Sequence, residues 1–114
     1  MRELCLGQLK IAQRLAEHLA RSRPCEPFSH RAAWLRDQGE SVTREAAMAK
    51  WHASEGAQQV IDAAVQLWGG MGVQSGNIVE SLYREIRSLR IYEGATEVQQ
   101  LIVGRDLLKA YNAA

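Results

Sequence analysis

The segment 91–103, Ile-Tyr-Glu-Gly-Ala-Thr-Glu-Val-Gln-Gln-Leu-Ile-Val, holds the residues of this chain whose types and spacing best suit chemistry. Glu93 places a single carboxylate between two helical patterns, and Gly94 beside it leaves room for a ligand to approach. A carboxylate in such a position can act as a general base when the reacting carbon comes within contact distance. The spacing alone also fits a solvated Glu-Gly turn between two helices.

A second segment of interest is the glycine-rich stretch from Gly69 to Gly76, which follows a helical pattern ending near Trp68. It matches neither the dinucleotide-binding nor the Walker fingerprint, and it follows a helix and not a strand, which excludes the two standard nucleotide cradles. The amide of Gln66 and the bare backbone of Gly69 and Gly70 could still approach a diphosphate. The alternative interpretation is a simple helix C-cap turn.

The elements that must position these residues are helices. Apolar residues recur at spacings of three and four, so the sequence predicts an all-α antiparallel bundle of four to five helices in a single domain, residues 1–114. A first helix carries a stripe from Leu9 to Leu19 and stops before Pro24. Residues 24–29 are predicted as a connection, and a short helix follows from His30 to Gln38, with Gly39 as its C-cap.

The longest predicted helix is the centre of the bundle. Thr43 is its expected N-cap, and it continues to Trp68 with an apolar stripe that includes Ala46, Ala53, Val60 and Leu67. Beyond the glycines, a helix is predicted near Ile78 to Leu89. A last helix runs from about Thr96 to Tyr111, with Val98, Leu101 and Leu108 on its core side.

Composition narrows the class of function. The chain has 114 residues, 24% of them charged, and a net charge of +1, which argues against nucleic-acid binding. Cys5 and Cys25 lack metal-like or CxxC spacing, and no apolar run is long enough to span a bilayer, so no membrane span and a cytoplasmic location are expected. The histidines lack the Glu-x-x-His pattern of di-iron bundles, so no metal site is predicted.

Two motifs at the expected interval resemble those of the acyl-CoA dehydrogenases. Residues 91–95 resemble the family's I-Y-E-G-T loop, with Ala95 in place of threonine, and residues 64–72 resemble its A-x-Q-x-x-G-G-x-G segment. Residues 79–85 resemble V-E-x-x-x-R-D, with Glu85 in place of aspartate and a structural salt bridge expected for Arg84. The resemblance covers residues 32–110. It implies the fold of the family's C-terminal helical domain.

The resemblance also implies roles for individual residues. Glu93 would be the catalytic base that removes the α-proton of an acyl-CoA thioester while FAD accepts a hydride, and Gly94 would adjoin the substrate. The implied FAD contacts are Gln66, Gly69, Gly70, Ala95, Thr96 and Glu97.

Two functions are compatible with this resemblance. The chain would act as the C-terminal portion of an FAD-dependent enzyme, inactive alone, with an acyl-CoA substrate, a homo-oligomeric assembly through its helix faces and electron-transfer flavoprotein as a possible partner. The alternative is a catalytically inactive helical assembly module or remnant of that family.

Overall fold

The computed structural model describes residues 25–113, with side chains from residue 27 onward, and within this range the protein is all-α. The four helices are α1 (Cys25–Asp37), α2 (Thr43–Trp68), α3 (Ile78–Leu89) and α4 (Thr96–Asn112), and a 3₁₀ helix spans Gly69–Val73. The predicted class is confirmed, and the long helix, α3 and α4 lie where the sequence indicated. The predicted helix over Leu9 to Leu19 lies outside the described residues.

Helix α1 begins earlier than predicted. The connection expected at residues 24–29 is wrong, because α1 starts at Cys25 and includes Pro27. Proline is tolerated there because amide groups in the first turn have no partner within the helix. The ring of Phe28 stacks on that of His52, with centroids 4.8 Å apart, which holds α1 against α2. The chain leaves α1 through Gly39, whose φ of 78° suits the predicted C-cap.

Helix α2 is the central element and packs against α1, α3 and α4. Thr43 is its first helical residue and not its N-cap; Val42 occupies the cap position and offers no side-chain hydrogen bond. The helix ends at Trp68 as predicted. Gly69 then turns the chain with a φ of 59°, and its amide donates to the Gln66 carbonyl.

The glycine-rich segment is more regular than the predicted loop, because its first half forms the 3₁₀ helix. Gly72 is buried there, and a Cβ added to it would lie 2.5 Å from the carbonyl oxygen of Val65. This glycine is therefore required by close packing against the end of α2.

The buried face of α2 differs from the predicted apolar stripe. Ala47, Ser54 and Gln58 are buried, whereas Val60 and Leu67 are 36% and 37% exposed. Ala47 and Ser54 each lie one residue beyond Ala46 and Ala53 of the predicted stripe, which is a rotation of roughly 100° around the helix. A polar residue can occupy the covered face when its side chain forms a hydrogen bond within its own helix. The Ser54 hydroxyl does so, donating to the Lys50 carbonyl at 2.9 Å.

Much of the predicted apolar surface is uncovered in the described residues. Val98, Leu101 and Leu108 are 44%, 57% and 64% exposed, so their predicted placement on the core side of α4 is wrong. Exposed apolar helix faces of this extent indicate surfaces for further protein contacts. The salt bridge expected for Arg84 is confirmed, with its Nε 2.6 Å from Glu80 Oε1. None of the described helices combines the length and apolarity needed to span a bilayer.

Candidate functional site

The connection between α3 and α4 carries Glu93 in an unusual backbone conformation. Glu93 has a φ of 56° and Gly94 a φ of 87°, so two successive residues adopt left-handed conformations and reverse the chain. For residues with a Cβ this region is sparsely populated and costs about 1–2 kcal/mol. Left-handed residues of this kind tend to occur at functional sites, where neighbouring contacts hold them in place.

One of those contacts comes from Lys50 on α2. Its Nζ donates to the Leu89 carbonyl at 2.8 Å and to the Gly94 carbonyl at 2.7 Å. The ammonium group therefore caps the C-terminal end of α3, where a positive charge is favourable. The same group fixes the peptide between Gly94 and Ala95, one residue beyond Glu93.

A second contact from α2 joins both ends of the connection. Glu55 Oε1 accepts from Arg90 Nε and from Thr96 Oγ1, each at 2.7 Å. Burial by itself would raise the pKa of Glu55, but the hydrogen bonds from Thr96 and Arg90 and the positive charges of Arg90 and Arg87 outweigh it, and the pKa lies below its ordinary value. The Thr96 amide also donates to the Arg90 carbonyl at 3.1 Å. Arg90 and Thr96 are thus tied together by side chain and backbone.

The third contact is made from α4. The buried side chain of Gln99 donates through Nε2 to the carbonyls of Gly94, at 3.2 Å, and Glu93, at 3.4 Å. A Cβ added to Gly94 would collide with this Nε2 atom. The missing Cβ of Gly94 therefore makes room for Gln99 within the fold, in addition to allowing the positive φ.

A cavity of about 350 Å³ lies between α2, α3 and this connection, and Glu93 forms part of its wall. The lining is mostly apolar, with the side chains of Ala53, Ala57, Ile86 and Leu89. Tyr92 and Lys50 border it as well. The arrangement places one carboxylate at the edge of an apolar pocket large enough for part of a small organic ligand.

The residues predicted to contact a cofactor fall into two groups. Ala95, Thr96 and Glu97 open α4 next to Glu93, whereas Gln66, Gly69 and Gly70 lie at the other end of α2. Eleven residues of helix, roughly 16 Å, separate Gln66 from Glu55. Within one chain the two groups therefore form separate surfaces.

The structure brings in four residues that the sequence analysis did not single out: Lys50, Glu55, Arg90 and Gln99. Their sequence signals were weak because charged and amide side chains of helices ordinarily lie on the solvated face. The available clue was Lys50, a long cation within the alanine-rich first half of α2. Only the approach of α3 and α4 shows that these side chains converge on the connection.

Comparison with known proteins identifies the family. Residues 6–108 match the family model described as acyl-CoA dehydrogenase, C-terminal domain, a match that begins before the region 32–110 that carries the sequence resemblance. The chain is 44% identical over 80 residues to a 3-(aryl)acrylate reductase of Clostridium sporogenes, covering 70% of this chain and 21% of that protein. It is 36% identical over 106 residues to a cyclohexane-1-carbonyl-CoA dehydrogenase of Geobacter metallireducens, covering 93% of this chain and 28% of the relative.

Comparison with solved structures points to the same family. The chain superposes on butyryl-CoA dehydrogenase from Megasphaera elsdenii with a TM-score of 0.81 and 33% identity, over 88% of this chain and 26% of that protein. It thus spans about a quarter of the length of the relatives it matches. The match extends over most of the chain in both sequence and fold. The protein therefore belongs to the acyl-CoA dehydrogenase family, and this chain carries the family's C-terminal domain.

Proposed function

We propose that this chain supplies the catalytic base of an FAD-dependent enzyme that interconverts an acyl-CoA thioester and its α,β-unsaturated form. Glu93 takes the α-proton in oxidation and returns it in reduction, because the same group must serve both directions of one reaction. The relatives named above include a dehydrogenase and a reductase, which supports a reaction that can run as oxidation or as reduction. The substrate then determines which direction is favoured.

The observation that carries the proposal is the position of Glu93. Its backbone holds a left-handed conformation, and its side chain lies at the edge of the apolar cavity. Apolar walls that exclude water around a carboxylate increase its affinity for a proton. Within the described residues Glu93 is exposed, so we expect the bound thioester and neighbouring protein to complete those walls. Gly94 would adjoin the substrate through its backbone.

FAD, when bound, would accept the hydride that leaves the β-carbon of the substrate. The two predicted contact surfaces fit such a cofactor. Gln66 is exposed, and a Cβ added at Gly69 or Gly70 would have no atom within 4 Å, so a ligand can reach this backbone closely.

The opening of α4 suits an anionic group. Ala95 provides no side-chain cap, so after Thr96 the amides of Glu97 and Val98 lie at the positive end of the dipole of a 17-residue helix without a capping side chain. Thr96 already donates its hydroxyl to Glu55 and its amide to Arg90. A contact from Thr96 to FAD would therefore use its hydroxyl oxygen as the acceptor.

The partners follow from the same proposal. The substrate is an acyl-CoA thioester, electron-transfer flavoprotein is the candidate electron partner, and the exposed apolar helix faces serve assembly with other copies or domains in the cytoplasm. The separation of the two cofactor surfaces along α2 favours an assembly in which one FAD contacts residues from more than one subunit.

The decisive experiment is Glu93→Gln in the FAD-containing enzyme that includes this chain. We expect turnover to be abolished while folding and FAD content are preserved, since the amide keeps the shape and loses the basic oxygen. Glu85→Gln on the outer surface of α3 is the matched control and should leave turnover unchanged. Turnover in Glu93→Gln equal to that of the unaltered enzyme would refute the role as base.

A second candidate function is the inactive assembly module. The exposed apolar faces on α2 and α4 are the observation that favours it, because assembly requires those faces and no chemistry. Titration of the 114-residue chain with FAD, followed by flavin fluorescence, separates the two. Saturable binding supports the enzyme; no binding together with unaltered turnover in Glu93→Gln supports the module.

A further inference from the structure

The carboxylate of Glu55 lies on α2 and does not reach the cavity, yet it joins the two ends of the connection that carries Glu93. A single oxygen, Oε1, accepts from Arg90, the residue after the end of α3, and from Thr96, the first residue of α4. The five residues 91–95 between them form a loop whose ends are fixed at one point. A loop closed in this way has few alternative conformations.

The fixed ends matter because the loop is strained in the middle. Glu93 has a left-handed backbone that an unrestrained glutamate seldom adopts. Lys50 and Gln99 hold the carbonyl of Gly94, on the C-terminal side of Glu93. On the N-terminal side, Lys50 also holds the Leu89 carbonyl, and the amides of Ile91 and Tyr92 donate to the Ser88 carbonyl. The bond from Arg90 to Glu55 is the side-chain contact that links this N-terminal end to Thr96 at the other end of the loop.

The contact of Glu55 with Arg90 and Thr96, called the anchor below, lies in a partly buried environment that stabilises it. The side chains of Arg90 and Glu55 are 28% and 26% exposed, and Thr96 is 8% exposed. Ion pairs at this depth are screened less by water than surface pairs. A buried hydroxyl that loses its acceptor leaves an unsatisfied donor, which costs more than the bond itself contributes.

We propose that Glu55 is a positioning residue for Glu93, acting through Arg90 and Thr96. This inference rests on the proposed function, in which Glu93 is the base. Loss of the anchor lets the loop leave its left-handed conformation, and Glu93 then spends less time where it can reach the α-carbon. Proton transfer is sensitive to displacements of this kind, because its rate depends on near-contact geometry.

The test is a pair of substitutions at one buried position. Thr96→Val keeps the shape of the side chain and removes the hydroxyl, whereas Thr96→Ser keeps the hydroxyl and removes the methyl group. A packing role for Thr96 predicts that valine is tolerated better than serine. Positioning through Glu55 predicts the reverse.

The first measurement uses the 114-residue chain and does not depend on activity. Amide hydrogen exchange of Tyr92 and of residue 96, expressed as protection relative to an unstructured chain, reports opening of the loop. We expect Thr96→Val and Glu55→Gln to lower protection roughly tenfold, and Thr96→Ser to stay within about threefold of the unaltered chain. Glu80→Gln, which removes the surface carboxylate paired with Arg84, is the control and should leave the loop unchanged.

The second measurement is turnover by the FAD-containing enzyme. We expect Glu55→Gln, at a residue outside the predicted FAD contacts, to lower kcat about tenfold with KM within about twofold and FAD content unchanged. Glu80→Gln should leave kcat unaltered. Full protection in Thr96→Val and Glu55→Gln, or lost protection in Glu55→Gln with an unchanged kcat, would overturn the positioning role. Retained turnover in Glu93→Gln would instead refute the proposed function, and the exchange result would still stand as a property of the loop.

Discussion

Gly94→Ala is expected to destabilise the chain through two separable effects. The φ of Gly94 is +87°, a conformation that costs a residue with a Cβ about 1–2 kcal/mol. The added Cβ also collides with Gln99 Nε2, whose side chain is 7% exposed and has little room to move. Displacing that nitrogen removes its bonds to the Gly94 and Glu93 carbonyls, which adds about 1 kcal/mol.

The total for Gly94→Ala is therefore about 2–3 kcal/mol in the free energy of unfolding. Gly39→Ala is the matched control, since Gly39 has a φ of +78° and no atom within 4 Å of an added Cβ. Gly39→Ala should lose only the conformational part, about 1–2 kcal/mol. Urea unfolding of the 114-residue chain followed by circular dichroism gives both values from midpoints and slopes.

A double mutant tests whether the collision is the cause. In a chain that already carries Gln99→Ala, the further change Gly94→Ala should cost no more than Gly39→Ala, because the colliding atom is absent. Equal costs for Gly94→Ala and Gly39→Ala in the unaltered background would refute the reasoning. That result would mean that Gln99 moves aside without loss.

Two further predictions concern the ends of the same connection. Ala95→Ser should stabilise the chain by about 0.5–1 kcal/mol in urea unfolding, because residue 95 occupies the uncapped N-cap position of α4 with extended dihedral angles; an unchanged midpoint would contradict this. The lowered pKa of Glu55 contributes stability that is present above its unfolded value of 4.5 and is lost as the pH falls through the lower folded value. The stability difference between the unaltered chain and Glu55→Gln should thus shrink from pH 6 to pH 3, and a constant difference would show that ionised Glu55 does not contribute.

The sequence predicted the helices well where patterns were long and clear. The bounds of α3 and the end of α2 followed from apolar spacing and from glycines, which act locally. The predicted start of α1 was wrong because a proline in the first turn of a helix and a proline in a connection cannot be told apart in the sequence. The predicted buried face of α2 was wrong because the prediction assigned the apolar residues to the core. In the structure, the other helices pack against a more polar face of α2 that includes Ser54 and Gln58.

Some features of the candidate site were predictable from the sequence, and others were not. The sequence by itself determined the all-α class, the family and the position of Glu93 beside Gly94, because these depend on residue types at fixed intervals. The tertiary structure alone decided that Glu93 has a left-handed backbone, that an apolar cavity adjoins it, and that Lys50, Glu55 and Gln99 hold its loop. The contacts from Lys50 and Glu55 join residues about 40 positions apart in the chain, and no local pattern encodes which side chains meet when α3 and α4 pack on α2.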